Sequence, residues 1–164
     1  MKKLLILGGS GFIGSSIVDY GIRKKLIKHK INEIYVLSRK NKGIKKKYKH
    51  IKISYISKNI LNLKKLPQVD YIIYCLKDKN IKKSKDYFNH FIKLLKTLIK
   101  KPKILFTSSG AVYGKNTKKI KNKESQKINI KSINKMDGYK KKYALEKIFI
   151  EKKFTELGLK DYNV

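Results

Sequence analysis

The fold is decided by Leu4-Leu5-Ile6-Leu7-Gly8-Gly9-Ser10-Gly11-Phe12-Ile13-Gly14, in which an apolar run meets three glycines spaced three residues apart. The apolar run predicts a buried strand, and the glycines predict a tight turn that opens a helix. Gly8 allows the turn because glycine is unrestricted in φ. Gly14 allows the helix to pack closely on its strand. The segment therefore predicts a strand, a turn and a helix.

A turn of this kind is suited to binding a phosphate. The N–H groups that open a helix have no partner within it and attract anions, and Gly11 lets a pyrophosphate come close to the backbone. Glycine-rich turns also serve as purely structural connections, so the motif alone leaves both interpretations open. The candidate cofactor-binding residues of this segment are Gly8, Gly11, Phe12, Ile13 and Gly14.

Strand and helix patterns alternate along the rest of the chain. Short apolar runs predict strands over 33–38, 51–56, 70–76 and 103–108, and helical periodicity predicts helices over 12–28, 84–101 and 138–157. The polar segment 115–135 predicts a mobile loop over the site, and 159–164 begins a sixth strand. This order predicts an α/β fold, a doubly wound parallel sheet of the Rossmann type, in a single domain over 1–164.

The strong positive charge is explained by the amino-acid composition of the chain. The formal net charge is +32, but only two of the 43 basic residues are arginines, Arg23 and Arg39, and lysine is spread over the whole chain. Proteins that bind nucleic acids rely on the forked guanidinium group, so we interpret the charge as compositional bias and expect no specific nucleic-acid partner. The charge still attracts small anions.

Other composition features exclude several classes of protein. The apolar run before Gly8 is too short for a secretory signal, and no stretch reaches membrane-spanning length. The only cysteine, Cys75, excludes a disulfide framework and is expected in the core. No histidine has a second ligand at metal spacing, so no metal site is predicted. A cytoplasmic protein without a membrane partner is expected.

The second strand ends in Arg39-Lys40, where a dinucleotide-binding fold recognises the adenosine ribose. An acidic residue there binds the ribose 2′-hydroxyl, whereas a basic one accommodates a 2′-phosphate. There is no Asp or Glu from Val36 to Lys58. The expected cofactor is NAD or NADP, with NADP favoured by Arg39.

Two later motifs complete the pattern, Ser108-Ser109-Gly110-Ala111-Val112-Tyr113-Gly114 and Tyr143-x-x-x-Lys147-x-x-x-Glu151. Together with the glycine turn and Asp70, which leads the fourth strand, they resemble the extended short-chain dehydrogenase/reductase family, the NAD-dependent epimerase/dehydratase group. Tyr-x-x-x-Lys also occurs at residues 20–24 and 48–52, but only Tyr143 and Lys147 follow the fifth strand. The resemblance covers essentially the whole chain and only the N-terminal, cofactor-binding part of the family fold.

The resemblance implies roles for the site residues. Tyr143 would be the general base or acid, and Lys147 would favour its phenolate and hold the nicotinamide ribose. Ser109 would orient the same substrate oxygen. Asn59, with its neighbour Ile60, stands where the family usually has an adenine-contacting Asp.

The resemblance also implies an activity, a nucleotide-sugar epimerase or reductase. Dehydratases of the family carry an Asp-Glu pair where this chain has Gly110-Ala111, which favours epimerisation or reduction. Because family members continue into further strands and a substrate lobe, we expect a truncated enzyme of reduced activity, with exposed apolar faces that favour a homodimer. Two alternatives stay open: a non-catalytic dinucleotide-binding or regulatory module and, less favoured, a basic nucleic-acid-binding protein.

Overall fold

The computed structural model describes residues 1–39, 49–114 and 126–157. Its five strands form one parallel sheet in the order β3-β2-β1-β4-β5. Successive strands are added outward from the central β1, first on one side and then on the other, as in a dinucleotide-binding fold. The predicted doubly wound, Rossmann-type α/β fold is therefore confirmed. The strands are β1 (Lys2–Leu7), β2 (Ile31–Ser38), β3 (Lys52–Ser57), β4 (Tyr71–Tyr74) and β5 (Lys103–Phe106).

Helices cover both faces of the sheet. They are α1 (Phe12–Ile22), α2 (Ile81–Leu95), α3 (Ile130–Asn134) and α4 (Gly138–Glu156), with one-turn 3-10 helices at Ile27–His29, Ile60–Asn62 and Gly110–Tyr113. Side chains alternate between the faces of β1, so Leu4 and Ile6 pack in the cluster that includes α1. Leu5 and Leu7 pack in the cluster that includes α2 and α4. The central strand is thus buried on both sides, as its continuous apolar run predicts.

An aromatic core fixes α4 against the sheet. The Tyr74 ring of β4 lies 5.0 Å from Phe91 and 6.1 Å from Phe106, measured between ring centroids. Phe88 of α2 packs edge-to-face on Phe154 of α4 at 5.1 Å. Aromatic pairs in this geometry stabilise a core beyond the area that they bury. The position of α4 is therefore set by the core.

Three predicted helix boundaries were wrong. The first helix ends at Ile22, six residues early, because Lys24 adopts φ +65°, in the left-handed region that ends a helix. The second begins at Ile81, before the predicted 84, because the Asn80 side chain accepts a hydrogen bond from the Lys83 backbone N–H and caps it. It ends at Leu95, and the predicted 96–101 lies outside it.

The predicted loop over 115–135 was wrong at its C-terminal end. Ile130–Asn134 form the short α3, which Asn129 caps by accepting a hydrogen bond from the Ser132 backbone N–H at 3.1 Å. Ile133 is completely buried. Residues 115–125 of the predicted loop and the predicted strand 159–164 lie outside the described residues.

Candidate active site

The glycine turn leaves no room for a side chain at Gly8 or Gly14. Gly8 has φ +91°, and a Cβ atom placed on it would lie 2.9 Å from the carbonyl oxygen of Cys75. A Cβ on Gly14 would lie 2.4 Å from the Gly8 oxygen, whereas a Cβ on Gly11 would lie 3.3 Å from that oxygen. No side chain caps the N-terminus of α1, so its first N–H groups are left for another acceptor. The turn has the close backbone approach that a pyrophosphate requires.

A cleft of about 410 Å³ lies beside this turn. It is lined by segments that follow β1, β2, β3 and β4, and by α4. Ligands of open parallel sheets bind outside the carboxyl ends of the strands, at the point where the strand order reverses. Nine residues that were predicted as site residues line it: Gly8, Gly11, Phe12, Ile13, Gly14, Arg39, Asn59, Ile60 and Tyr143. Their functional roles remain predictions.

The end of the cleft beside β2 and β3 contains Asn59, Ile60 and Arg39. Asn59 Oδ1 accepts a hydrogen bond from the Leu61 backbone N–H at 3.1 Å, which caps the 3-10 turn beginning at the buried Ile60. The Arg39 guanidinium forms an ion pair with Asp78, Nη1 to Oδ2 at 3.1 Å. Lys40, the other basic residue predicted there, lies outside the described residues.

Lys147 lies behind Tyr143 and does not line the cleft. It is only 3% exposed, and its Nζ donates a hydrogen bond to the Thr107 carbonyl oxygen at 2.7 Å. The same Nζ lies 5.5 Å from the centroid of the Tyr143 ring and 4.6 Å from that of Phe106. Burial lowers the pKa of Lys147, and the charge of Glu146 opposes this shift. The structure thus brings the predicted lysine close to the predicted phenol, one helical turn away.

Glu146 is a buried acid that sequence analysis missed. It is 1% exposed, and burial raises its pKa, while Lys147 and a hydrogen bond with Ser84 oppose the increase. Its Oε1 has no hydrogen-bond partner among the described residues. A signal was available, because Glu146 lies four residues before Ile150 and eight before Phe154, on the apolar stripe of α4.

Ser109 lies in a turn at the end of β5. Its Oγ accepts a hydrogen bond from the Ala111 backbone N–H at 3.3 Å, which caps the 3-10 turn Gly110–Tyr113. Ser109 does not line the cleft, and its predicted contact with substrate remains a prediction. The neighbouring Ser108 donates a hydrogen bond to Glu151 Oε1 of α4, so Ser108, like Thr107 through Lys147, ties the end of β5 to the helix of Tyr143.

Residues after β4 also line the cleft, and sequence analysis did not name them. Lys77 Nζ lies 4.1 Å from the centroid of the Tyr143 ring and 4.8 Å from that of Tyr139. The two tyrosine rings stack at 6.2 Å with 6° between their planes. Cys75 is half-buried and lines the cleft, so the prediction of a core residue was wrong. The available signal was the rule that the strands flanking the reversal point deliver site residues.

Two kinds of site are absent from the described part of the chain. Within residues 1–39, 49–114 and 126–157, no group of His, Cys, Asp and Glu side chains could hold a metal ion. No helix in those ranges is long and apolar enough to cross a membrane.

Solved structures share this architecture. The chain matches dTDP-glucose 4,6-dehydratase from Bacillus anthracis, in complex with NAD, with a TM-score of 0.70 and 16% identity over 97% of this chain and 52% of that one. UDP-glucose-4-epimerase from Stenotrophomonas maltophila, with bound NAD and formylated UDP-arabinopyranose, matches with a TM-score of 0.57 and 14% identity, over 100% and 51% of the two chains. Glucuronic acid dehydrogenase from Chromohalobacter salexigens matches with a TM-score of 0.63 and 19% identity, over 94% and 55%.

These likenesses establish the fold. The chain spans about half the length of the structures that it matches. No protein of curated function matches it. The model of the NAD dependent epimerase/dehydratase family matches residues 4–157, which is nearly the whole chain. The resemblance expected from the sequence is confirmed, and the chain belongs to the NAD-dependent epimerase/dehydratase family.

Proposed function

We propose that this chain binds NAD or NADP in the cleft beside the glycine turn and acts as an epimerase or reductase of nucleotide sugars. The glycine turn would hold the pyrophosphate, and Asn59 and Ile60 would contact the adenosine. Tyr143 would transfer the proton of a substrate hydroxyl. A cytoplasmic location and a homodimer are part of the proposal.

The observation that carries it is one cleft that contains both a phosphate cradle and a candidate base. Backbone atoms lie so close to Gly8 and Gly14 that only glycine fits at these two positions. The N-terminus of α1 has no side-chain cap. Tyr143 lines the same cleft from α4. A cofactor and a proton-transferring group would therefore meet in one space.

The chemistry follows from the side chains around Tyr143. When bound, the nicotinamide supplies the hydride acceptor or donor. The Tyr143 Oη would accept the hydroxyl proton in the oxidative direction and return it in the reductive one. The ammonium groups of Lys147 and Lys77 lie 5.5 and 4.1 Å from the centroid of the Tyr143 ring, so two cations flank this side chain. The stacked Tyr139 restricts the ring.

Cofactor binding is tested first. NADH is titrated against the protein and followed by its fluorescence, with Gly11→Asp as the impaired variant. The carboxylate would occupy the place of the pyrophosphate at the uncapped helix N-terminus, so binding should be lost. Equal binding by the wild type and this variant contradicts the proposal.

Turnover is tested next on UDP-glucose, dTDP-glucose and UDP-glucuronate, by absorbance of the reduced cofactor and by product analysis. Tyr143→Phe should abolish turnover and leave NADH binding unchanged, because the ring is kept and only Oη is removed. The matched control, Tyr139→Phe, removes the Oη of the stacked neighbour and should retain most activity. Similar activity of both variants excludes Tyr143 as the base.

A non-catalytic dinucleotide-binding module is the second candidate. The observation that favours it is the placement of Lys147 and Ser109 outside the cleft lining. This candidate predicts normal cofactor binding and no turnover on any of the three nucleotide sugars. Tyr143→Phe should then leave cofactor binding, the protein's only measured property, unchanged.

A further inference from the structure

An ion pair joins the ends of the two strands that flank β1. Arg39 directly follows β2, and Asp78 follows β4 by four residues. The distance from Arg39 Nη1 to Asp78 Oδ2 is 3.1 Å. Since β1 lies between β2 and β4, the pair joins the segments on either side of the carboxyl end of β1. Arg39 lines the cleft, so the charge of its guanidinium is already partnered at this site.

Asp78 is the fixed member of the pair. Its Oδ1 accepts the Asn80 backbone N–H at 3.0 Å, and its Oδ2 accepts the Tyr87 hydroxyl at 3.3 Å. Its own backbone N–H donates to the buried Ser84 Oγ at 2.8 Å. The hydrogen bonds from the Asn80 N–H and, after it, the Tyr87 hydroxyl hold the pKa of Asp78 below its ordinary value. The Asp78 side chain is 15% exposed and that of Arg39 is 61% exposed, so the arginine is the member that is free to move.

We infer that Asp78 is a specificity residue that makes this site prefer NAD to NADP by holding Arg39. A 2′-phosphate at the end of β2 would need the guanidinium of Arg39. Asp78 competes for that group and places a second negative charge beside the phosphate. The 2′-hydroxyl of NAD meets neither penalty. This inference rests on the proposed dinucleotide binding, and it reverses the preference for NADP that Arg39 alone suggests.

The experiment compares the affinities for NAD⁺ and NADP⁺ by isothermal titration calorimetry at low salt. The wild type is measured first and should bind NAD⁺ more tightly. Asp78→Asn keeps the shape of the side chain and releases Arg39. It should raise the affinity for NADP⁺ by about tenfold and change that for NAD⁺ by less than about twofold. The control Asp86→Asn removes the same charge from an exposed position of α2 and should change neither affinity.

A double variant shows whether the gain depends on Arg39. Adding Arg39→Gln to Asp78→Asn should abolish the increased NADP⁺ affinity. Tighter binding of NADP⁺ than of NAD⁺ by the wild type overturns the inference. An Asp78→Asn variant whose ratio of NADP⁺ affinity to NAD⁺ affinity equals that of the wild type overturns it as well. If the wild type binds neither dinucleotide, the proposed function fails and the inference fails with it, whereas binding without discrimination overturns the inference alone.

Discussion

The ammonium group of Lys77 lies closer to the Tyr143 ring than that of Lys147 does, at 4.1 Å against 5.5 Å from the ring centroid. Lys77 approaches from the cleft, whereas Lys147 is buried and donates its hydrogen bond to Thr107. The cleft therefore carries a cation that the Tyr-x-x-x-Lys motif does not include.

Replacing Lys77 should slow turnover. In Lys77→Met, kcat/KM should fall by about threefold, because the cleft loses the cation that lies over the Tyr143 ring. Initial rates of product formation from the nucleotide sugars measure the change. Lys79→Met, at an exposed position two residues on, is the control and should leave kcat/KM unchanged. An equal loss in both variants would assign the effect to net charge.

Gly14→Ala should unfold much of the protein. A Cβ at this position would lie 2.4 Å from the Gly8 oxygen and 2.8 Å from the Gly9 Cα, and backbone atoms cannot move aside cheaply. We expect a loss of more than about 3 kcal/mol in the free energy of unfolding, measured by urea denaturation. Gly11→Ala is the matched control, because its Cβ would meet one atom at 3.3 Å, and it should lose no more than about 1 kcal/mol. Equal losses would refute the packing argument.

Glu146→Gln should change how stability depends on pH. Burial raises the pKa of Glu146, so the folded state holds its proton more tightly than the unfolded state and the wild type loses stability as the pH rises above 4.5. The variant has no carboxyl group to ionise at this position. Its free energy of unfolding should therefore increase relative to that of the wild type as the pH rises above 4.5. Chemical denaturation at a series of pH values measures the difference.

Glu156→Gln, on the exposed end of α4, is the control with the opposite sign. A hydrogen bond from Lys153 lowers the pKa of Glu156. This carboxylate therefore adds stability at pH values above its ordinary pKa, and the added stability is lost as the pH falls. If the stability of Glu146→Gln relative to the wild type instead falls as the pH rises, the folded protein stabilises Glu146 as the carboxylate, and the prediction is wrong.

Ile133→Ala should destabilise the protein although its segment is polar. The side chain is completely buried, and removing it should cost about 2 to 4 kcal/mol. Ile130→Ala, on the same short helix and half-exposed, should cost no more than about 0.5 kcal/mol. Thermal denaturation of the two variants distinguishes a docked helix from a loop, since two equal and small effects would contradict docking.

The sequence predicted what depends on local pattern. The apolar run before Gly8 and the glycine spacing predicted β1, the turn and α1, and the Tyr143 to Lys147 spacing predicted the face of α4. Ile133 was missed because one buried side chain gives no periodicity. The start of α2 was missed because a single capping bond from Asn80 extends it.

The contacts of Lys77 and Asp78 could not be predicted from spacing, since they depend on long-range order. Lys77 meets Tyr143 because the end of β4 faces α4, and Asp78 meets Arg39 because β2 and β4 flank the same strand. Only the assembled sheet brings these residues together.

The helix α4 supplies both Tyr143 for the cleft and Ile150 and Phe154 for the core. The part of α4 that carries Ile150 and Phe154 therefore has no separate, low-energy way to open, and its amide protons should exchange with solvent only when the core comes apart. The first turns of α1 and α4 both lack a side-chain cap, so their amide protons should exchange through local fraying. Tyr143 stands between the two regimes, on the turn that joins the fraying end of α4 to its anchored part.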